Sequence, residues 1–174
     1  MEDNLKTLFS FISNEEVKKK LHLSKHRIQK SYDEMFSGYA LKAEDILNDV
    51  VHVSNYTGIV EVKNINFYTM CEHHFAPFFG TADVYYQPNE IITGLGKIVR
   101  LVRDVHARRL QIQEIMTKQI AEDIMQVLNA KGVCVVTHAK HLCICSRGPS
   151  DDTSTTTVTY GIGTLEQWHL LNIK

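Results

Sequence analysis

Leu5, Leu8, Phe9 and Ile12 recur at helical spacing, and Val17 and Leu21 continue the pattern, which predicts short packing helices early in the chain. Ser24 offers an N-cap to a helix over Lys25 to Phe36, with Gly38 closing it and Ile28, Tyr32, Met35 and Phe36 as its buried stripe. From Val51 to Met70 the pattern turns strand-like, with Ile59, Val60 and Val62, then Ile65 and Phe67, interrupted by the polar pair Lys63-Asn64. Gly80 to Gln87 reads as another strand, stopped at the turn signal Pro88-Asn89. Two longer helices follow. Gly94 to His106 carries Leu95, Ile98, Val99, Leu101, Val102 and Val105 as its apolar face, and Gln111 to Leu128 carries Ile115, Ile120, Ile124 and Leu128. Val133 to Thr137, Leu142 to Ser146 and Thr155 to Gly161 read as strands rich in β-branched residues, and Leu165 to Leu171 as a short closing helix. That order predicts an α+β layer, an antiparallel sheet on one side and helices on the other.

A chain of 174 residues holds one ordinary domain with its own core, so the division expected is an N-terminal helical extension over 1–48 and a catalytic domain over 49–174. Hydrophobic content of 44% and charged content of 22% are those of a soluble globular protein. The formal charge of -1 and pI near 6.7 give no drive toward nucleic acid or a membrane surface, so local basic residues must hold any anionic ligand. No signal-peptide pattern opens the chain, and no apolar run approaches the ~18 residues that span a bilayer. A cytoplasmic protein with four reduced cysteines is expected, Cys134 among them as a small core residue.

The candidate chemistry lies in Cys71-Glu72-His73-His74 and, about seventy positions on, His141-Leu142-Cys143. Zinc favours thiolate and imidazole, and a catalytic zinc takes three protein ligands so that the fourth tetrahedral position stays open; Cys71, His74 and Cys143 supply such a set. With Leu142 to Ser146 as a strand, His141, Cys143, Cys145 and Arg147 would project to one side, so local geometry leaves Cys145 open as the thiol ligand. Arg27 and Lys30 lie three apart on one helix face, as do Lys97 and Arg100. By itself the Arg27 and Lys30 pair reads first as a solvated basic face. Glu114 could form an ordinary helix pair with Lys118.

These residues carry a resemblance. Cys71-Glu72-His73-His74, Gly94-Leu95-Gly96-Lys97, Arg109 to Glu114, His141-Leu142-Cys143 through Arg147-Gly148 and the Thr-rich run Thr153 to Thr159 stand in the order found in GTP cyclohydrolase I. The chain resembles that family from Arg27 to about Gly163. The resemblance implies the tunnelling fold, in which subunits close their sheets into a barrel, and a homo-oligomer, a decamer, with active sites shared between chains. It implies hydrolysis of GTP at C8 to 7,8-dihydroneopterin triphosphate and formate, the first step of tetrahydrofolate or pterin biosynthesis. It also selects Cys143 over Cys145 as the zinc ligand beside Cys71 and His74. Zinc would supply the nucleophile by lowering the pKa of its bound water to roughly 7. His73 and His141 would carry protons to the purine nitrogens. Glu114 would accept from the guanine edge, with Gln113 adding amide contacts. Arg27, Lys30, Lys97, Arg100 and Arg147 would hold the triphosphate.

Two departures stand out. The helix carrying Arg27 lacks the threonine-proline that commonly opens it, and Gly96 stands where the family usually has serine. The competing readings are a zinc hydrolase with another purine nucleotide preference and a non-enzymatic protein with structural zinc. A fourth protein ligand such as Cys145 would favour the latter.

Overall fold

Asn14 starts the first helix of the structure, a computed structural model that describes residues 10–168. Its side-chain oxygen accepts from the backbone N–H of Glu16 and Val17, meeting two of the donors that a helix start leaves open. Helix α1 (Glu15–Leu23) has acids in its first turn and Lys20 and His22 in its last, the order that suits the helix dipole. Ser24 ends α1, donating its N–H to Lys20 and Leu21, and α2 (Lys25–Met35) follows directly. No residue of either helix is buried. The stripe expected to be covered is not: Ile28, Tyr32 and Phe36 are half-buried and Met35 is exposed. Of the earlier apolar positions, Leu5, Leu8 and Phe9 lie outside the described residues.

The chain divides into two compact units, Met1–Glu34 and Met35–Lys174. The second begins with a 3-10 turn (Ser37–Ala40) and the short α3 (Ala43–Ile46), whose Ala43 and the following Leu47 join the main core. Gly38 does not act as a helix-terminating glycine. It is buried, and a Cβ there would collide with the backbone oxygens of Val105 and Asp104. Arg109 ties this segment down, its Nε donating to the carbonyl of Gly38 and its Nη2 to that of Leu41.

The sheet is the frame of this unit. Strands β1 (Val50–His52) and β4 (Ile91–Thr93) form a small antiparallel pair. The main sheet runs β5-β2-β3-β6-β7, with β2 (Val60–Cys71), β3 (Pro77–Gln87), β6 (Gly132–His141) and β7 (Thr156–Gly163) antiparallel throughout. β5 (Leu110–Gln111) adds a parallel contact only at Met70 and Cys71. Alternation works as expected along β2, where Ile65 and Phe67 turn inward while Asn66 and Tyr68 face out. The predicted run from Val51 to Met70 is two strands, and β2 carries an irregularity between Val62 and Ile65. There Asn64 adopts φ 57° and donates its N–H to Asp83.

The longer helical elements of the second unit cover one face of the main sheet, as predicted. α5 (Gln113–Val127) buries Met116, Ile120 and Ile124, and Leu128 just beyond it; Ile115, expected on that face, is 45% exposed. The single helix expected over Gly94 to His106 is α4 (Leu95–Arg100) followed by a wider π-helical turn, Leu101–His106. This change of pitch brings Ile98, Leu101, Val102 and Val105 all into the core, while Leu95 stays exposed. On the other sheet face, Tyr85, Cys134 and Val136 meet Leu165 and Trp168 at one end. Leu165 begins a turn rather than a regular helix, and the rest of the closing helix expected from the sequence, 169–171, lies outside the described residues.

One predicted strand is absent. Leu142–Cys145, expected as the zinc-bearing strand, is a helical turn, α6, closed by hydrogen bonds from the Ser146 N–H and hydroxyl to the carbonyl of Leu142. Gly80 shows how closely β3 and β6 approach: a Cβ there would run into the carbonyl of His138.

Candidate active site

The site forms where three strands end. β2 delivers Cys71, and a tight loop returns the chain to β3. Cys71 donates its N–H to Ala76, and Phe75 donates its N–H back to Cys71. The loop requires Phe75 at φ 52°, a conformation that costs a non-glycine residue on the order of 1 kcal/mol or more. It turns His74 back over the strand, placing Nδ1 3.7 Å from Cys71 Sγ. The base of the loop is fixed from β5, where Gln111 accepts from the Glu72 N–H and anchors its own amide on the carbonyl of His106.

β6 delivers the other half. His141 is its last residue, and Cys143 follows on the first turn of α6. The ligand atoms of Cys71, His74 and Cys143 all lie within 4.8 Å of one another. Because α6 is helical, Cys145 is rotated about 200° from Cys143 around the helix axis. It is not part of the group, and the expectation that both thiols share one strand face is corrected by this turn. Burial pushes the Cys143 thiol up, and Cys71 beside it adds to the push while Arg147 opposes it. Two crowded thiols and an imidazole converging on one point suit a divalent cation that neutralises both sulfurs. The 3.7 Å between Cys71 Sγ and His74 Nδ1 is the separation that a tetrahedron with ligand bonds of about 2.0–2.3 Å requires, the geometry that zinc takes.

Around this trio stand further predicted residues. His141 is half-buried, its ring stacked on Phe78 at 4.4 Å between centroids and 7° between planes. Phe78 pairs with His141 across the strands and is wholly buried, a contact that strand periodicity alone does not reveal. Burial holds the His141 imidazole below its ordinary value, and the charge of Glu114 works in the opposite sense. Glu114 is exposed in the first turn of α5 and is not paired with Lys118, which reaches Glu122 instead at 3.7 Å. His73 is exposed beside His74, their rings edge to face at 6.1 Å. Arg147 folds back on α6, its Nε donating to the carbonyl of Cys143 at 3.3 Å.

Gln113 departs from the sequence reading. Its side chain is 2% exposed, and its amide nitrogen is occupied by the Thr137 carbonyl and hydroxyl and by the Thr156 carbonyl. Its oxygen lies 2.7 Å from His141 Nε2. The side-chain contacts to a ligand expected of it are therefore spent inside the protein. Lys97 and Arg100, on α4, enter no side-chain hydrogen bond or ion pair among the described residues. Arg27 and Lys30 are exposed on α2 and lie in the first unit. Gly96, also exposed, has open space where a Cβ would stand.

A Cys-His-Cys group that could hold a metal ion, at the strand ends of an antiparallel sheet with an imidazole and a carboxylate nearby, suits metal-assisted hydrolysis. A family model described as GTP cyclohydrolase I matches residues 1–171. GTP cyclohydrolase 1 of Campylobacter jejuni (strain RM1221) is 46% identical over 158 residues, covering 91% of this chain and 83% of that protein. GTP cyclohydrolase 1 of Wolinella succinogenes is 43% identical over 148 residues, covering 85% and 79%, and that of Leptospira biflexa serovar Patoc is 43% identical, covering 85% and 80%. The chain belongs to the GTP cyclohydrolase I family. Among solved structures, the apo form of the archaeosine synthase QueF-Like aligns with a TM-score of 0.49 and 14% identity over 63% of this chain and 97% of its own.

Proposed function

We propose that this chain converts GTP and water to 7,8-dihydroneopterin triphosphate and formate, using zinc held by Cys71, His74 and Cys143. The observation that carries the reading is the convergence of these three ligand atoms at the end of β6, where His141 is the last residue of the strand. When bound, zinc supplies a Lewis acid that acidifies water at neutral pH. The group contains three protein ligands and no fourth among the described residues, which favours an open catalytic coordination over a closed structural one. His73 and His141 carry protons to the purine nitrogens as the imidazole ring of the substrate opens.

Glu114 accepts the neighbouring N–H groups of guanine. Its exposure, and the engagement of Lys118 elsewhere, leave its carboxylate available for this. A site built to pair with substrate donors refuses an analogue that lacks them by several powers of ten. Zinc-loaded protein should therefore consume GTP and leave ATP essentially untouched. Replacing Glu114 by glutamine should cost GTP turnover far more than zinc content. Comparable turnover of ATP and GTP would remove Glu114 from this role.

Lys97, Arg100 and Arg147 hold the triphosphate, joined in the assembled oligomer by Arg27 and Lys30. Sheet geometry supports assembly. Among the described residues, β2 is paired on its outer side only at Met70 and Cys71, and the outer edge of β7 has no strand partner. Such long open edges are normally covered. A cleft of about 770 Å³, lined by β2 with Val99, Arg103 and Arg108, runs along the β2 edge. β2 and β7 run in opposite senses, so the β7 edge of a second copy can extend the sheet antiparallel on that side. Light scattering should give a mass several times 19.9 kDa; a stable monomer at assay concentration would contradict shared sites. No helix among the described residues is long and apolar enough to cross a membrane, and we place the enzyme in the cytoplasm.

A further inference from the structure

Gln113 carries the most constrained side chain near the site, and its constraints determine where a proton sits on His141. The side-chain amide is buried, with Nε2 3.1 Å from the Thr137 carbonyl, 3.0 Å from the Thr137 hydroxyl and 3.1 Å from the Thr156 carbonyl. Carbonyl oxygens only accept, so the amide nitrogen must face them. The reversed amide would set an oxygen against two others and leave both carbonyls without a donor. The amide oxygen is thereby aimed at His141 Nε2, 2.7 Å away.

A second layer agrees. The Thr117 hydroxyl donates to the Gln113 backbone carbonyl at 2.7 Å, which uses its only proton. In the 2.7 Å contact between the Thr117 and Thr137 hydroxyls, Thr137 must then be the donor. The Thr137 oxygen is left to accept from Gln113. Every proton in the cycle Gln113 to Thr137 to Thr117 and back to Gln113 has one consistent place, the arrangement in which hydrogen bonds reinforce one another. An amide oxygen cannot donate, so the short contact to His141 requires the proton on Nε2. The Phe78 ring, flat against the imidazole and wholly buried, opposes a ring flip.

We propose that Gln113, held by Thr117, Thr137 and Thr156, is a positioning residue that keeps His141 in the Nε2–H tautomer, leaving Nδ1 as the nitrogen that exchanges protons. The consequence for turnover rests on the proposed role of His141 as a proton carrier; the tautomer does not. The arrangement is the hydrogen-bonded counterpart of the partners that fix metal-ligating histidines, whose loss typically costs about 10- to 100-fold.

The test uses zinc-loaded, full-length protein labelled with ¹⁵N-histidine and studied by magic-angle-spinning NMR, with the His141 signals identified by their loss in His141→Ala. The wild type should show a protonated, pyrrole-type Nε2 and a pyridine-type Nδ1. Gln113→Met, close in shape but without the amide, should give a mixture of tautomers and lower kcat by about 10- to 100-fold, with KM for GTP and zinc content nearly unchanged. A pyridine-type Nε2 in the wild type overturns the proposal whether or not the variant folds. So does a rise in KM with kcat preserved in Gln113→Met, because the side chain would then be reading substrate. If the spectra behave as expected while both Gln113→Met and His141→Ala keep full kcat, the tautomer assignment is supported, and it is the proton-carrier role that falls.

Discussion

Cys143→Ser is expected to lose zinc and GTP turnover together, while Cys145→Ser keeps both. A serine hydroxyl is a poor zinc ligand at neutral pH, and Cys71 and His74 alone leave two protein ligands where the site is built for three. Losing the Lewis acid forfeits several kcal/mol of transition-state stabilisation, so turnover should fall roughly a thousandfold or more at about 1.4 kcal/mol per decade. Cys145 stands on the far side of the α6 turn and outside the ligand group, so its replacement should leave metal content at one per chain. Metal analysis of each purified variant, paired with its rate, decides between them. If Cys145→Ser strips the metal and Cys143→Ser does not, the wrong thiol has been assigned. Protons compete with zinc for thiolate and imidazole, so wild-type affinity should also weaken as pH falls.

His141→Ala and His73→Ala should each slow turnover by roughly a hundredfold or more, the usual size of a lost acid or base, with zinc content near normal. The retained metal is the discriminating part. His141 lies outside the ligand trio, and its ring is engaged by Phe78 and Gln113. His73 neighbours a ligand in sequence but is exposed, its ring edge-on to that of His74. Loss of stoichiometric zinc from His73→Ala would move that residue into the ligand set.

The grouping of Cys71, His74 and Cys143 was legible in the sequence because these candidate ligands come in short local groups. Cys71 and His74 share one loop, and His141 and Cys143 flank the end of one strand, so spacing and residue chemistry suffice to suggest them. Leu142 to Ser146 was misread because its alternation of apolar residues and cysteines has the period of a strand. A segment that short is equally able to form one helical turn once β6 ends at His141, and the two conformations place Cys145 on opposite sides. Gln113 was misread for a different reason. A polar residue at the start of a helix is ordinarily exposed, and only the arrival of β6 and β7 behind α5, with Thr137 and Thr156 offering acceptors, shows that it faces inward. The stripe on α2 follows the helical period faithfully and still is not buried, because periodicity identifies an apolar face without saying what covers it. The placement of β2 and β7 toward the two sides of the main sheet likewise comes from tertiary pairing, to which no local pattern points.

The most direct measurement of the central claim is to incubate zinc-loaded protein with GTP and quantify formate and pterin in the same sample. Hydrolysis at C8 followed by closure of the pterin ring predicts that the two appear together, one of each per GTP consumed, and that both vanish when zinc is removed and return when it is restored. Formate without pterin, GTP consumption without formate, or full activity in metal-free protein would contradict it.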